Sequence, residues 1–148
     1  RACLRILTSK ETDDYLVQVD QDAFHLILDK LLDNSRRYCG SNLSIQIRLL
    51  KSKSHVELQF ADNGPGIQND DHCVAVFERF TRIEEHRNAD MTDGSGLGLP
   101  LVKSLMEGMG GSATCSSPQM STELGRKGLV VILQFPSPKL TTGGKNSV

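Results

Sequence analysis

The chain has 148 residues, of which 38% are hydrophobic and 24% charged, and a formal net charge of −1. Those values suit one soluble globular domain with a real core, and they exclude bulk attraction to nucleic acid or to an anionic membrane surface. The longest apolar run, Leu129 to Leu133, is far too short to cross a bilayer.

The chain opens at Arg1 without a methionine or a signal peptide, which reads as a piece of something longer. Residues 2–8 and 15–19 are β-rich and partly alternating, and predict two short strands. Asp20 is a good N-cap for a long helix running to about Tyr38. Its buried stripe is Phe24, Ile27, Leu28, Leu31, Leu32, Ser35 and Tyr38. A hairpin follows. Ile45, Ile47 and Leu49 alternate with polar residues, Lys51–Ser54 turn, and Val56, Leu58 and Phe60 alternate again.

The second hairpin strand runs into Asp62-Asn63-Gly64-Pro65-Gly66, a dense cluster of turn formers. Residues 72–80 predict a short helix bearing Val76, Phe77 and Phe80, and 81–93 a long polar loop. Pro100 suits the first turn of a helix with Leu101, Val102, Leu105, Met106 and Met109 as apolar members, stopped by Gly108, Gly110 and Gly111. Strands are expected at about 112–117 and 129–135, and the tail from Ser137 as disordered. Roughly three helices and six strands, mixed out of strict βαβ alternation, predict an α+β fold. The expected architecture is a two-layer α/β sandwich, a mixed and mostly antiparallel sheet with the helices on one face. The four cysteines are scattered and read as free thiols in a reducing compartment.

Three stretches carry candidate chemistry. Gly94-Ser95-Gly96-Leu97-Gly98 has neither dinucleotide nor P-loop spacing. It is still a glycine-rich turn feeding a helix N-terminus, so it is either a phosphate site or a flexible hinge. Asp62-Asn63-Gly64-Pro65-Gly66-Ile67 is either a plain turn or a strand-end carboxylate that accepts from an exocyclic amine, with glycines letting a flat base approach. At about 100° per residue, Asn34 lies at the border of the helix's buried stripe, with Lys30 and Arg37 on the same polar edge. Its carboxamide suits Mg²⁺ or is simply a surface asparagine between two solvated cations.

The order of these pieces resembles the GHKL ATP-binding superfamily, and within it the catalytic ATP-binding domain of sensor histidine kinases. "LLDNSRRY" resembles the N box, "DNGPGI" the first glycine box, "VFERF" the F box and "GSGLGLPLVK" the second glycine box; "GGSATCSS" resembles the strand that follows. The resemblance covers about Tyr15 to Phe135. It implies that Asp62 binds the adenine amine, with Gly64, Gly66 and Ile67 shaping the base pocket and Tyr38 against adenine or ribose. Asn34 would ligate Mg²⁺, while Arg37 and Arg82 would offer cations to phosphate. A lid from about Arg82 to Asp93 would close over ATP, hinged at Gly94, Gly96 and Gly98, with Ser95, Leu97 and Leu99 beside the phosphates.

Two positions depart from the family pattern. Lys30 stands where these kinases usually carry an asparagine and hydrolytic relatives a water-activating glutamate. A lysine there is a poor base near neutral pH but can meet phosphate as a point charge. Gly128-Leu129 replaces a frequent Gly-Thr, removing a hydroxyl that would make a water-mediated contact to adenine. The family's phosphoacceptor histidine motif is missing, and His25, His55, His72 and His86 read as ordinary histidines. The resemblance thus implies a domain over 1–136 with a tail at 137–148, working in the cytoplasm. It would bind Mg-ATP and present the γ-phosphate to a separate phosphoacceptor histidine domain, upstream of a response regulator. No nucleic-acid or direct membrane contact is expected. The alternatives are a degenerate nucleotide-sensing or docking module and a stand-alone GHKL ATPase.

Overall fold

The computed structural model describes residues 3–8, 16–67, 70–81, 96–117 and 128–137. Five strands form one sheet: β1 (Cys3–Thr8), β2 (Ser44–Lys51), β3 (His55–Asp62), β4 (Ser112–Ser116) and β5 (Val130–Pro136). Their spatial order is β1-β2-β3-β5-β4, with β1 parallel to β2 and every other pairing antiparallel. Three helices pack with the sheet: α1 (Gln21–Cys39), the short α2 (Asp70–Ala75) and α3 (Gly98–Gly108). The α+β two-layer sandwich expected from the sequence is the fold observed.

Strand periodicity decides which side the helices cover. Register places Ile47 opposite Phe60, Leu49 opposite Leu58, Phe60 opposite Val131 and Leu58 opposite Leu133. One face is therefore apolar throughout, and Ile27 and Leu31 of α1 with Val102 and Met106 of α3 close over it. The opposite face is mixed: Leu50, Ala61, Val130 and Ile132 share it with a polar cluster in which Gln59 and Gln134 both donate to the Glu57 carboxylate, at 2.6 and 3.1 Å. Asp62 is in phase with Val56, Leu58 and Phe60. Its side chain thus lies on the helix-covered side, at the strand's end.

Helix α1 begins where the sequence says it should, because the Asp20 carboxylate accepts from the Ala23 amide at 2.8 Å. It buries Ile27, Leu31 and Ser35, four residues apart on one stripe, and ends at Gly40, which takes φ 63°. Phe24 packs edge-on against Phe135 with ring centroids 5.9 Å apart.

Two expected elements differ. Residues 16–20 form no strand. Val17 and Val19 still pack against the core, but no strand in the sheet order pairs with them among the described residues. Alternation here reflects one-sided burial of an extended entry into α1. The helix expected over 72–80 is displaced to Asp70–Ala75, and Phe80 is not an apolar anchor but 74% exposed, at φ 63°. The backbone explains it. The Phe80 amide donates to the Gly96 carbonyl at 3.2 Å, and a Cβ on Gly96 would stand 3.1 Å from the Phe80 Cα. This close backbone crossing fixes Phe80 with its ring turned outward.

Cys39, Cys73 and Cys115 form no disulfide among the described residues. Burial, and then the neighbouring Cys73, push the Cys115 thiol well above its ordinary range, which keeps it protonated and unreactive. The expected lid over 82–93, and the expected tail over 137–148 except Ser137, lie outside the described residues.

Candidate functional site: a cleft between two helices and a strand end

A cavity of ≈ 380 Å³ opens between α1, the end of β3 and the start of α3, within the ordinary size range of small-molecule sites. Asp62 forms its floor. The residue is 5% exposed, and its carboxylate is held by three donors: the amides of Gly64 at 3.0 Å and Leu129 at 3.1 Å on Oδ1, and the Ser35 hydroxyl at 3.0 Å on Oδ2. A carboxylate offers about four acceptor sites. Among the described residues one is left without a donor. The Asp62 amide also donates to the Leu129 carbonyl at 3.0 Å, so β3 and the entry to β5 grip this residue on both sides.

The loop after Asp62 is equally constrained. Asn63 accepts from the Ser44 amide and donates to the Asn42 carbonyl, both at 2.8 Å. Ser117 donates to the Gly128 carbonyl at 3.0 Å and accepts from the Ile67 amide at 2.8 Å. Gly66, at φ 71°, has no room for a side chain, since a Cβ would lie 2.5 Å from the Ser117 Oγ and 2.6 Å from the Gly128 carbonyl.

Of the residues singled out from sequence, Lys30, Asn34, Arg37, Tyr38, Asp62, Gly66, Ile67, Gly96, Leu97, Gly98 and Leu99 all line the cavity. Gly64 does not. It sits behind the floor, where a Cβ would meet the Asp62 Oδ1 and the Cys39 Sγ at 3.1 Å each. Gly98 needs no glycine conformation, for it starts α3 with open space where a Cβ would go, whereas Gly96 adopts φ 67°. Arg82, Gly94 and Ser95 lie outside the described residues. Among the described residues no side chain caps the N-terminus of α3, whose first turn, Gly98 to Leu101, lines the cavity.

Sequence reasoning missed the pairing of Ser35 with Asp62. Ser35 was legible only as a member of a buried stripe, and a serine among leucines was the available signal. It also weighed Leu129 as a lost hydroxyl, whereas the Leu129 backbone supplies both bonds to Asp62. Ser35→Ala would leave Asp62 with two donors in place of three. It is expected to cost about 1 kcal/mol of stability, read as a fall in the urea midpoint, and to weaken any ligand held by Asp62. An unchanged midpoint would contradict that role.

Along α1 the polar wall is ordered. Asp33 pairs with Arg36 at 3.5 Å, both well exposed, an interaction worth little. Lys30 and Arg37 have no ion pair, and Asn34 no hydrogen bond, among the described residues. His25, His55 and His72 are absent from the cavity wall.

Residues 19–139 match the model of the histidine kinase-, DNA gyrase B- and HSP90-like ATPase family. The chain belongs to that family. The similar curated proteins include the sensor protein RstB of Escherichia coli K12, 36% identical over 104 residues, and the signal transduction histidine-protein kinase BaeS of the same strain, 39% identical over 99 residues. These alignments span 69% and 67% of this chain but only 23% and 21% of the relatives. Among solved structures, a mycobacterial sensor histidine kinase, MprB, superposes with a TM-score of 0.75 at 25% identity, over 93% of this chain and 85% of that one. The ATP-binding domain of PrrB from Mycobacterium tuberculosis shares the fold, with a TM-score of 0.64 at 23% identity over 91% and 81% of the two chains. The domain is of the histidine kinase catalytic type. Among the described residues, no helix is long and apolar enough to cross a membrane.

Proposed function

We propose that this domain binds Mg-ATP and presents the γ-phosphate to a histidine on a separate phosphoacceptor domain of a two-component sensor kinase. The observation that carries the reading is the floor of the cavity. A buried carboxylate has three donors from the protein and one acceptor site left over, which matches an exocyclic amine such as that of adenine. Tyr38 and Ile67 flank that floor, and Asn34 and Arg37 stand further along the same wall.

The donor set fits magnesium of one particular kind. Among the described residues no group of three His, Cys, Asp or Glu side chains can hold a metal, and Asn34 offers one unengaged carboxamide oxygen. Mg²⁺ accepts such a site when phosphates and waters provide its other ligands. When bound, it would neutralise charge across the phosphate oxygens. The protein's own part is positioning: Asp62 sets the base, Arg37 and the α3 amides meet the phosphates, and Arg82 with residues 83–93 would complete the enclosure.

Among the described residues no histidine lines the wall, and His86 lies outside them; an acceptor on another domain is part of this reading. The similarity to a sensor protein and a signal transduction histidine-protein kinase supports placement upstream of a response regulator. On this reading the domain works in the cytoplasm, over residues 1–136, with 137–148 as a tail. A stand-alone ATPase is disfavoured, because Lys30 occupies the wall one turn before Asn34, where a general-base carboxylate would be needed.

Calorimetric titration with a non-hydrolysable ATP analogue and Mg²⁺ tests the assignment. Wild type is expected to bind with micromolar to sub-millimolar Kd, about −8 to −5 kcal/mol. Asn34→Ala is expected to lose about tenfold in Mg²⁺ and far less in EDTA. No wild-type binding would overturn the nucleotide reading, and an equal loss in both media would remove Asn34 from metal ligation.

A further inference from the structure

Helix α1 gives the cavity a direction. The base floor lies at its C-terminal end, where Ser35 holds Asp62 and Cys39 backs Gly64. Arg37 stands on the cavity wall just beyond Ser35 toward the C-terminus, and on the N-terminal side the wall passes Asn34 and then Lys30. At about 1.5 Å per residue, Lys30 lies roughly 6 Å before Asn34 along the axis and about 7.5 Å before Ser35. A nucleotide with its base on Asp62 and its chain running along α1 meets Lys30 last, at its terminal phosphate.

Lys30 is half-buried on that wall. Its ammonium has no carboxylate partner among the described residues. The carboxylate three residues on, Asp33, is paired with Arg36 at 3.5 Å. A half-buried cation that pairs with no carboxylate among the described residues, on the wall of a cavity it shares with Asp33, can take an anionic ligand group.

We propose that Lys30 is a built-in cation for the terminal phosphate of the bound nucleotide, so that binding here depends less on Mg²⁺ than a neutral residue would allow. The inference rests on the nucleotide reading above and deepens it. Both Lys30 and a divalent ion neutralise phosphate charge. The two are therefore partly redundant: removing the lysine matters most when the metal is also withdrawn. Lys30 is in this sense a positioning and charge-compensating residue, with no proton to take.

The test is titration of AMP, ADP and a non-hydrolysable ATP analogue into wild type and Lys30→Met, each with Mg²⁺ and with excess EDTA. Methionine keeps the apolar stem and deletes the charge. In EDTA, Lys30→Met is expected to weaken the triphosphate by about tenfold, the size of one charged hydrogen bond at a half-exposed site. ADP should lose less and AMP nothing, and in Mg²⁺ the triphosphate loss should shrink to about threefold or below. The melting temperature should not move, because Lys30 has no ion pair to lose among the described residues. Equal triphosphate affinity of the two proteins in EDTA overturns the inference while leaving the nucleotide site intact. So does a loss of the same size for AMP, which would place the effect at the base pocket. A wild type that binds none of the three nucleotides in Mg²⁺ overturns the nucleotide reading itself, and this inference with it.

Discussion

Gly128→Ala is expected to destabilise the domain by on the order of 4 kcal/mol, a fall of roughly 10 °C in melting temperature. The position takes φ 59°, and a Cβ there would stand 2.1 Å from the Asp62 carbonyl oxygen and 3.2 Å from its carbonyl carbon. Neither atom can retreat. The Asp62 amide is bonded to the Leu129 carbonyl, the Gly128 amide donates to the Gly64 carbonyl at 3.1 Å, and the Gly128 carbonyl accepts from Ser117. Relieving the clash means parting the end of β3 from the start of β5, and with them the donors that hold the Asp62 carboxylate. Gly108→Ala is the control, since nothing lies within 4 Å of a Cβ at that helical position. It should be neutral or slightly stabilising. Circular-dichroism melts of the two variants decide the matter; similar small shifts for both would mean that the Gly128 crossing is not a fixed backbone contact.

Asp62→Asn separates binding from folding at the same place. The retained oxygen can keep both amide donors, Gly64 and Leu129, while the Ser35 hydroxyl reverses and accepts from the new amino group. The melting temperature should fall by only a few degrees. What changes is the face presented to the ligand, where a donor replaces the free acceptor and meets the exocyclic amine with like polarity. The nucleotide affinity is expected to fall about 10- to 100-fold, the loss of one hydrogen bond to a charged group. Asp62→Ala, by contrast, would orphan three buried donors at about 1–3 kcal/mol each and should fail chiefly by unfolding. An Asp62→Asn protein that melts near wild type and binds the ATP analogue equally well would take Asp62 out of the site.

How much of this was legible in the chain depended on the range of the interaction. Alternation in Val56, Leu58 and Phe60 already carried Asp62 onto the buried face, because side-chain period in a strand is two. Helical spacing likewise set Lys30, Asn34 and Arg37 on one edge beside the Ile27–Leu31–Ser35 stripe. The observed cavity contains all three. The same logic misled at residues 16–20, where Val17 and Val19 alternate because one side is buried and not because a strand pairs there. It misled at Phe80 as well, whose outward ring follows from a backbone crossing with Gly96, sixteen positions along the chain.

By itself the sequence determined the local units: the Asp20-capped helix, the 44–62 hairpin, the phase of Asp62 and the cation–amide–cation edge of α1. Each rests on contacts within a few residues, where geometry is nearly periodic. Only the folded chain settled what surrounds the carboxylate. Gly64 is local to Asp62, but Ser35 and Leu129 reach it from 27 and 67 positions away. Ser117 and Gly128 lock the loop from 50 and 62 positions further on than Ile67 and Gly66. No periodicity links such distant residues; their meeting is set by strand order and register, which are properties of the whole sheet.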